Sequence, residues 1–139
     1  MCRIYSYVCG NVVYDQVHSK HRAFHLRSTA YAALIRGTAT CQGYSVLLYR
    51  MLRDNGIPCR VITGTATEDN ISVFHAWNLV KLDGKWYGLD ATWDAGSDSF
   101  RYFLKGSSSF SGHVPGEEFQ TDTFRYQHPL ARKDYKSTA

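Results

Sequence analysis

The chain has 139 residues, 44% of them hydrophobic and 14% aromatic, enough for one domain with a buried core and too apolar for wholesale disorder. Its 16 Lys and Arg against 12 Asp and Glu give a net charge of +4, but the basic residues are scattered. Without a clustered basic run no nucleic-acid partner is expected, and no apolar stretch approaches the ~18 residues of a membrane span.

Met1 to Tyr7 lacks the basic-then-apolar layout of a signal peptide, and Cys2 to Asp15 reads like a domain that begins inside an element. The compartment is therefore left open. Residues 2–9 suit a short helix or the end of one. In 18–36, Ala23, Phe24, Leu26, Ala30, Tyr31, Ala33, Leu34 and Ile35 recur at helical spacing, and Gly37 closes the run. The strongest helix is 41–55, where Val46, Leu47, Leu48, Met51 and Leu52 step by threes and fours. Thr38 or Thr40 supplies a cap, and Gly56 ahead of Ile57-Pro58 supplies the stop.

The texture then turns to strands. Residues 59–66 are short and β-branched, and 72–82 and 85–93 flank Asp83-Gly84, a strong hairpin signal. Residues 100–104 read as one more strand, 105–112 as a loop, and the polar end from Pro129 on is expected to fray. Helices first and strands after predict an α+β domain with an antiparallel sheet. One domain over 1–139 is expected, with a core of about 2–104 and a C-terminal extension over 105–139.

Cysteines stand at 2, 9, 41 and 59. Cys2 and Cys9 would be separated by a helical rise of ~10 Å, too far for a disulfide, and no C-x-x-C supports a structural zinc site. Cys41 opens the best helix, where unpaired N–H groups and the positive dipole end favour a thiolate and can hold an oxyanion. A buried structural cysteine would look the same in isolation.

A two-residue turn at Asp83-Gly84 places Leu82 opposite Lys85, Trp77 opposite Asp90 and His75 opposite Thr92. His75, Trp77 and Asp90 then share one face. His75 and Asp90 become diagonal neighbours, ~7–8 Å apart at the backbone, a gap that their side chains close. An Asp on one imidazole nitrogen leaves the other free to work on a thiol, so Cys41, His75 and Asp90 form a nucleophile, a base and an orienting carboxylate.

The run Gly37-Thr38-Ala39-Thr40-Cys41-Gln42-Gly43-Tyr44, the segment His75-Ala76-Trp77-Asn78, and Asp83 to Trp93 resemble the three blocks of the transglutaminase-like (transglutaminase core) superfamily. The branch most resembled is a bacterial one, provisionally described as cysteine proteases. The blocks follow the family order, and with Tyr14-Asp15 and Tyr102-Phe103-Leu104 the likeness spans roughly 2–104. It implies a papain-like α+β fold, with the Cys helix packed on an antiparallel sheet that carries His and Asp. It implies Cys41 as nucleophile, His75 as general base and then acid, and Asp90 as orienting residue. Thr40 departs from the small aliphatic residue usual before the Cys. The Cys41 N–H is the first oxyanion donor. No Trp precedes Cys41, where animal transglutaminases place one as second donor, so Tyr14, Gln42 or another N–H takes that part.

The expected reaction is acyl transfer on an amide or peptide bond of a peptide or protein substrate through a thioester. Water is the default acceptor, giving a peptidase or amidase. Transamidation, or a non-catalytic binding module on the same fold, are the alternatives. No cofactor and no metal are expected. His18, His21 and His25 read as a solvated face, since Lys20 and Arg22 add positive charge beside them. Asp94, Asp98, Glu117 and Glu118 lack a calcium-loop pattern. Trp77, Trp86 and Trp93 serve either as core or as cleft lining. Tyr44 and Asn78 fit supporting roles, and His113 and His128 are assigned none.

Overall fold

The computed structural model describes residues 2–14, 38–95 and 100–136 of the chain. The helix expected over 18–36, with its three histidines, lies outside the described residues. Two helices and a four-stranded sheet set the frame. Helix α1 (Cys2–Asn11) leads into β1 (Val13–Tyr14), which pairs in parallel with β2 (Thr38–Ala39) just ahead of helix α2 (Cys41–Asp54). Strands β3 (Cys59–Glu68), β4 (Ile71–Leu82) and β5 (Lys85–Leu89) follow, then the single turn α3 (Ala91–Asp94). Strand β6 (His113–Pro115) and helix α4 (Asp122–Gln127) complete the order. The sheet runs β5-β4-β3-β6, every neighbour antiparallel. This is the expected α+β arrangement of helices on an antiparallel sheet. Among the described residues no helix is long and apolar enough to cross a membrane.

Helix α2 begins at the expected residue, with Thr40 in the N-cap position. It stops where Gly56 takes φ +75° and the Ile57 N–H reaches back to the Leu52 carbonyl at 3.0 Å. Its apolar stripe buries Tyr44, Leu47, Leu48 and Leu52. They pack with Tyr5 and Val8 of α1 against Cys59, Val80, Tyr87 and Leu89 of the sheet. Leu48 and Leu52 are fully buried, and each contributes roughly 1.5–3 kcal/mol of transfer free energy. The other sheet face carries a second cluster of Ile62, Trp77, Leu79 and Trp86. Alternation along β4 thus sends Val80 to one core and Trp77 and Leu79 to the other.

The hairpin register matches the expected one from Leu82 opposite Lys85 to Asn78 opposite Leu89. Asp83 and Gly84 both take positive φ, 52° and 84°, as a primed turn requires. Three expectations fail beyond it. The second strand stops at Leu89 rather than running to Trp93, because the Asp90 side chain accepts the Trp93 N–H at 3.2 Å and caps α3. Residues 100–104 are not a strand. The N–H groups of Arg101 and Tyr102 are taken by the Asp94 carboxylate at 2.9 and 3.0 Å, and Leu104 sits at φ 51°.

The third failure is the tail. Trp86 donates to the Pro129 carbonyl at 2.9 Å, and Ala131 donates back to Trp86 at 2.8 Å. Asp134 accepts from Ser109, from the Gly106 N–H at 2.9 Å and from Lys105 at 3.1 Å. Residues 129–136 therefore cover the free edge of β5 instead of fraying.

Buried Asp94 also anchors α1: the Tyr5 hydroxyl, itself fully buried, donates to it at 2.6 Å. Tyr5→Phe should lower unfolding stability by about 1–3 kcal/mol in a denaturant titration, because a buried carboxylate loses a donor. A variant as stable as the parent would show that this contact does not hold the helix.

Candidate active site

Three segments converge where β5 ends. Cys41 comes from the first residue of α2, His75 from the middle of β4, and Asp90 from the junction between β5 and α3. The first turn of α2 is fixed from two sides. The Ser45 hydroxyl donates to the carbonyls of Cys41 at 2.8 Å and Gln42 at 3.1 Å. The Asn78 amide, buried beneath the helix, donates to the Ser45 carbonyl at 3.0 Å and to the Arg60 carbonyl at 3.3 Å. Tyr44 donates its hydroxyl to the Val12 carbonyl at 2.6 Å. Tyr44 and Asn78 are thus staples that join α2 to α1 and to the sheet.

His75 Nε2 lies 2.8 Å from Asp90 Oδ2, which leaves Nδ1 as the other ring nitrogen. The imidazole is flanked by Trp93 and Trp77, with ring centroids at 5.1 and 6.1 Å. Burial pulls its proton affinity down. The hydrogen bonds to Asp90 and to Cys41, with the charge of the Asp90 carboxylate, outweigh burial and lift the ring from 6.5 to about 9. Asp90 has no exposed surface. Burial pushes its carboxyl up, yet hydrogen bonds from His113 and His75 and their charges hold it below the usual carboxylate range.

Cys41 is partly exposed, whereas Cys9 and Cys59 are buried. Burial, with the Asp94 charge, pushes the Cys9 thiol up to about 12. Burial alone, against a hydrogen bond from Asn78, does the same for Cys59. At neutral pH both remain thiols and resist alkylation.

His113 is a member of this cluster that the sequence left unassigned. Its Nε2 lies 2.7 Å from the same Asp90 oxygen, and its Nδ1 lies 2.9 Å from the Ser111 carbonyl. Its ring stacks on Phe110 with centroids 3.9 Å apart. No spacing pattern in the Ser- and Gly-rich segment around it signals this role. The other unassigned histidine, His128, donates Nδ1 to the Phe124 carbonyl and stacks on the Phe124 ring. Trp77 and Trp86 are buried core residues, and they also line a cavity of about 310 Å³ on the sheet face away from α2, bordered by Phe110 and His113. Trp93 instead packs on His75.

His75, Asp90 and His113 bring ligand atoms to within 4.8 Å of one another, a set able to take a borderline divalent cation. The 2.7 and 2.8 Å contacts are those of imidazole N–H groups on a carboxylate, and a metal would have to displace those protons. Asp94 is spent on Tyr5, Arg101 and Tyr102.

Comparison with known proteins gives these observations a family. Residues 1–91 match the model of the transglutaminase-like superfamily, a stretch that holds Cys41, His75 and Asp90 but ends before His113. The kyphoscoliosis peptidases of Homo sapiens and Mus musculus are each 28% identical over 102 residues, 67% of this chain. The chain spans only 15% of the length of these curated relatives. Among solved structures, a transglutaminase (TGase) is 28% identical with a TM-score of 0.55, over 63% of this chain and 24% of that one. A protein from Cytophaga hutchinsonii, provisionally described as a cysteine protease, is 25% identical with a TM-score of 0.54, over 66% and 30%. The chain belongs to the transglutaminase-like superfamily.

Proposed function

We propose that this chain is a cysteine-dependent acyl-transfer enzyme that hydrolyses amide or peptide bonds, with Cys41 as nucleophile, His75 as general base and acid, and Asp90 as the residue that orients His75. The observation that carries this reading is the His75 ring, held by Asp90 at 2.8 Å on Nε2 and hydrogen-bonded to Cys41. The Cys41 proton passes to His75 before attack, and the sulfur then adds to the carbonyl carbon. The N–H groups at the start of α2 receive the negative charge that develops on oxygen. As the C–N bond breaks, His75 gives the proton to the leaving amine, and a thioester remains. Water then attacks the thioester, His75 takes its proton, and cleavage of the C–S bond releases the acid and restores the thiol.

The printed name of the curated relatives, a peptidase, supports water as acceptor. The similarity to a transglutaminase structure favours the second reading, in which a primary amine resolves the same thioester. One assay separates them. The chain is incubated with a glutamine-containing protein substrate and a fluorescent primary amine, and both cleavage and amine incorporation are followed. Hydrolysis without incorporation is expected. Cys41→Ala should lose the activity by roughly 10³-fold or more. Activity that survives in Cys41→Ala would end the proposal.

The raised proton affinity of His75 fixes a pH window. The imidazolium's favourable contacts are fully present below about 6.5 and are lost as pH rises through about 9. Turnover should therefore fall above pH 9, where the acid that protonates the leaving amine disappears. Iodoacetamide at neutral pH should modify Cys41 well ahead of buried Cys9 and Cys59, as read by peptide mass mapping. Equal labelling of the three would contradict the site.

A further inference from the structure

We propose that His113 is a positioning residue of the active site, sharing the Asp90 carboxylate with His75 and drawing off part of its charge so that His75 releases its proton to the leaving group. The inference rests on the acyl-transfer reading and extends it to a residue beyond the part of the chain that matches the family.

The hydrogen-bond chemistry is specific. The Ser111 carbonyl can only accept, so Nδ1 of His113 must donate to it at 2.9 Å. Asp90 Oδ2, an ionised carboxylate oxygen, also only accepts, so Nε2 donates as well at 2.7 Å. Asp90 Oδ2 thus receives two imidazole donors, and Oδ1 receives the Trp93 N–H at 3.2 Å. Both carboxylate oxygens are thus engaged, and Oδ2 is the oxygen held toward His75.

The fold builds this contact deliberately. His113 pairs with Ala66 on β3, and Gly64 lies between His75 on β4 and Pro115 on β6. A side chain on Gly64 would run into the Val114 carbonyl, so only glycine lets β6 approach this closely. By the same register Gly64 and Ala66 leave a low strip across β3, over which the two imidazoles come within 6.0 Å. Phe110 stacks on the outer face of His113, and Trp77 meets it edge-on at 5.0 Å.

The consequence has a definite sign. Among the described residues, the titratable groups that face His75 are Cys41 from α2, Asp90 ahead of α3 and His113 from β6. Cys41 and Asp90 favour the protonated ring, whereas a second imidazole on Asp90 Oδ2 competes with His75 for the same oxygen and weakens that support. Removing His113 should therefore make His75 hold its proton more tightly. A merely structural histidine would leave that titration unmoved.

The test is an NMR titration of the His75 ring in the full chain, for the parent, His113→Gln and His113→Phe. Glutamine keeps a neutral donor near Asp90, while phenylalanine keeps the stacking on Phe110 and loses every donor. The His75 midpoint should rise in both, by about half a pH unit or more in His113→Phe and by less in His113→Gln. The alkaline limit of turnover should move up with it while kcat falls and KM is little changed. A midpoint that stays or falls in either folded variant overturns the proposal, and if His113→Phe does not fold, His113→Gln decides alone. Failure of the acyl-transfer reading looks different: Cys41 would then be no more reactive than Cys9 and Cys59 in the parent chain, wherever His75 titrates.

Discussion

A carboxylate with no solvent contact must be surrounded by donors, and Asp90 organises the molecule around that need. Its oxygens take His75 from β4, His113 from β6 and the Trp93 N–H from α3. Its own N–H donates to the Tyr102 carbonyl at 2.9 Å, which fastens the segment after residue 100 to the same point. Removing one partner from a buried, ionised group costs about 3–5 kcal/mol, so these segments cannot shift independently. Local order at the site and stability of the fold are therefore one problem.

The neighbouring carboxylate shows the contrast. Asp94 is as deeply buried, four residues further on, but its donors are a tyrosine hydroxyl and two backbone N–H groups. None of these exchanges protons near neutral pH, so Asp94 fixes structure and nothing else. Asp90 faces imidazoles, which do exchange protons in that range. A carboxylate of the same type acquires a chemical role through its partners. Ser45 and Asn78 fix the start of α2, where Cys41 stands, in a similar way: they bind the carbonyls of Cys41, Gln42 and Ser45.

Much of this was legible in the sequence. The alternation of β4 and the Asp83-Gly84 turn gave the register from Leu82–Lys85 to Asn78–Leu89, because side-chain period and turn type are local properties. The break of α2 at Gly56 was legible for the same reason. Asp90 was placed near His75 for a partly wrong reason. It is not a strand residue opposite Trp77; it caps a turn, and the cap swings its other oxygen toward the histidine. The segment beyond residue 100 was the least readable. Tyr102 and Lys105 answer to Asp94, Asp90 and Gly88, partners defined only after the hairpin has formed. His113 reaches the site through a three-residue strand that depends on Gly64 of β3, two strands away from β5, a relation that carries no period.

The central claim is that Cys41 carries an acyl group during the reaction. Its most direct test is to mix the chain with an activated acyl ester, quench in acid, and locate the adduct by peptide mass spectrometry. The account predicts a single acyl group on Cys41, held as a thioester and discharged by hydroxylamine. It predicts no such adduct on Cys9 or Cys59, whose burial keeps them protonated. An unmodified Cys41 under conditions in which the ester is consumed, or an adduct spread equally over the cysteines, would contradict it.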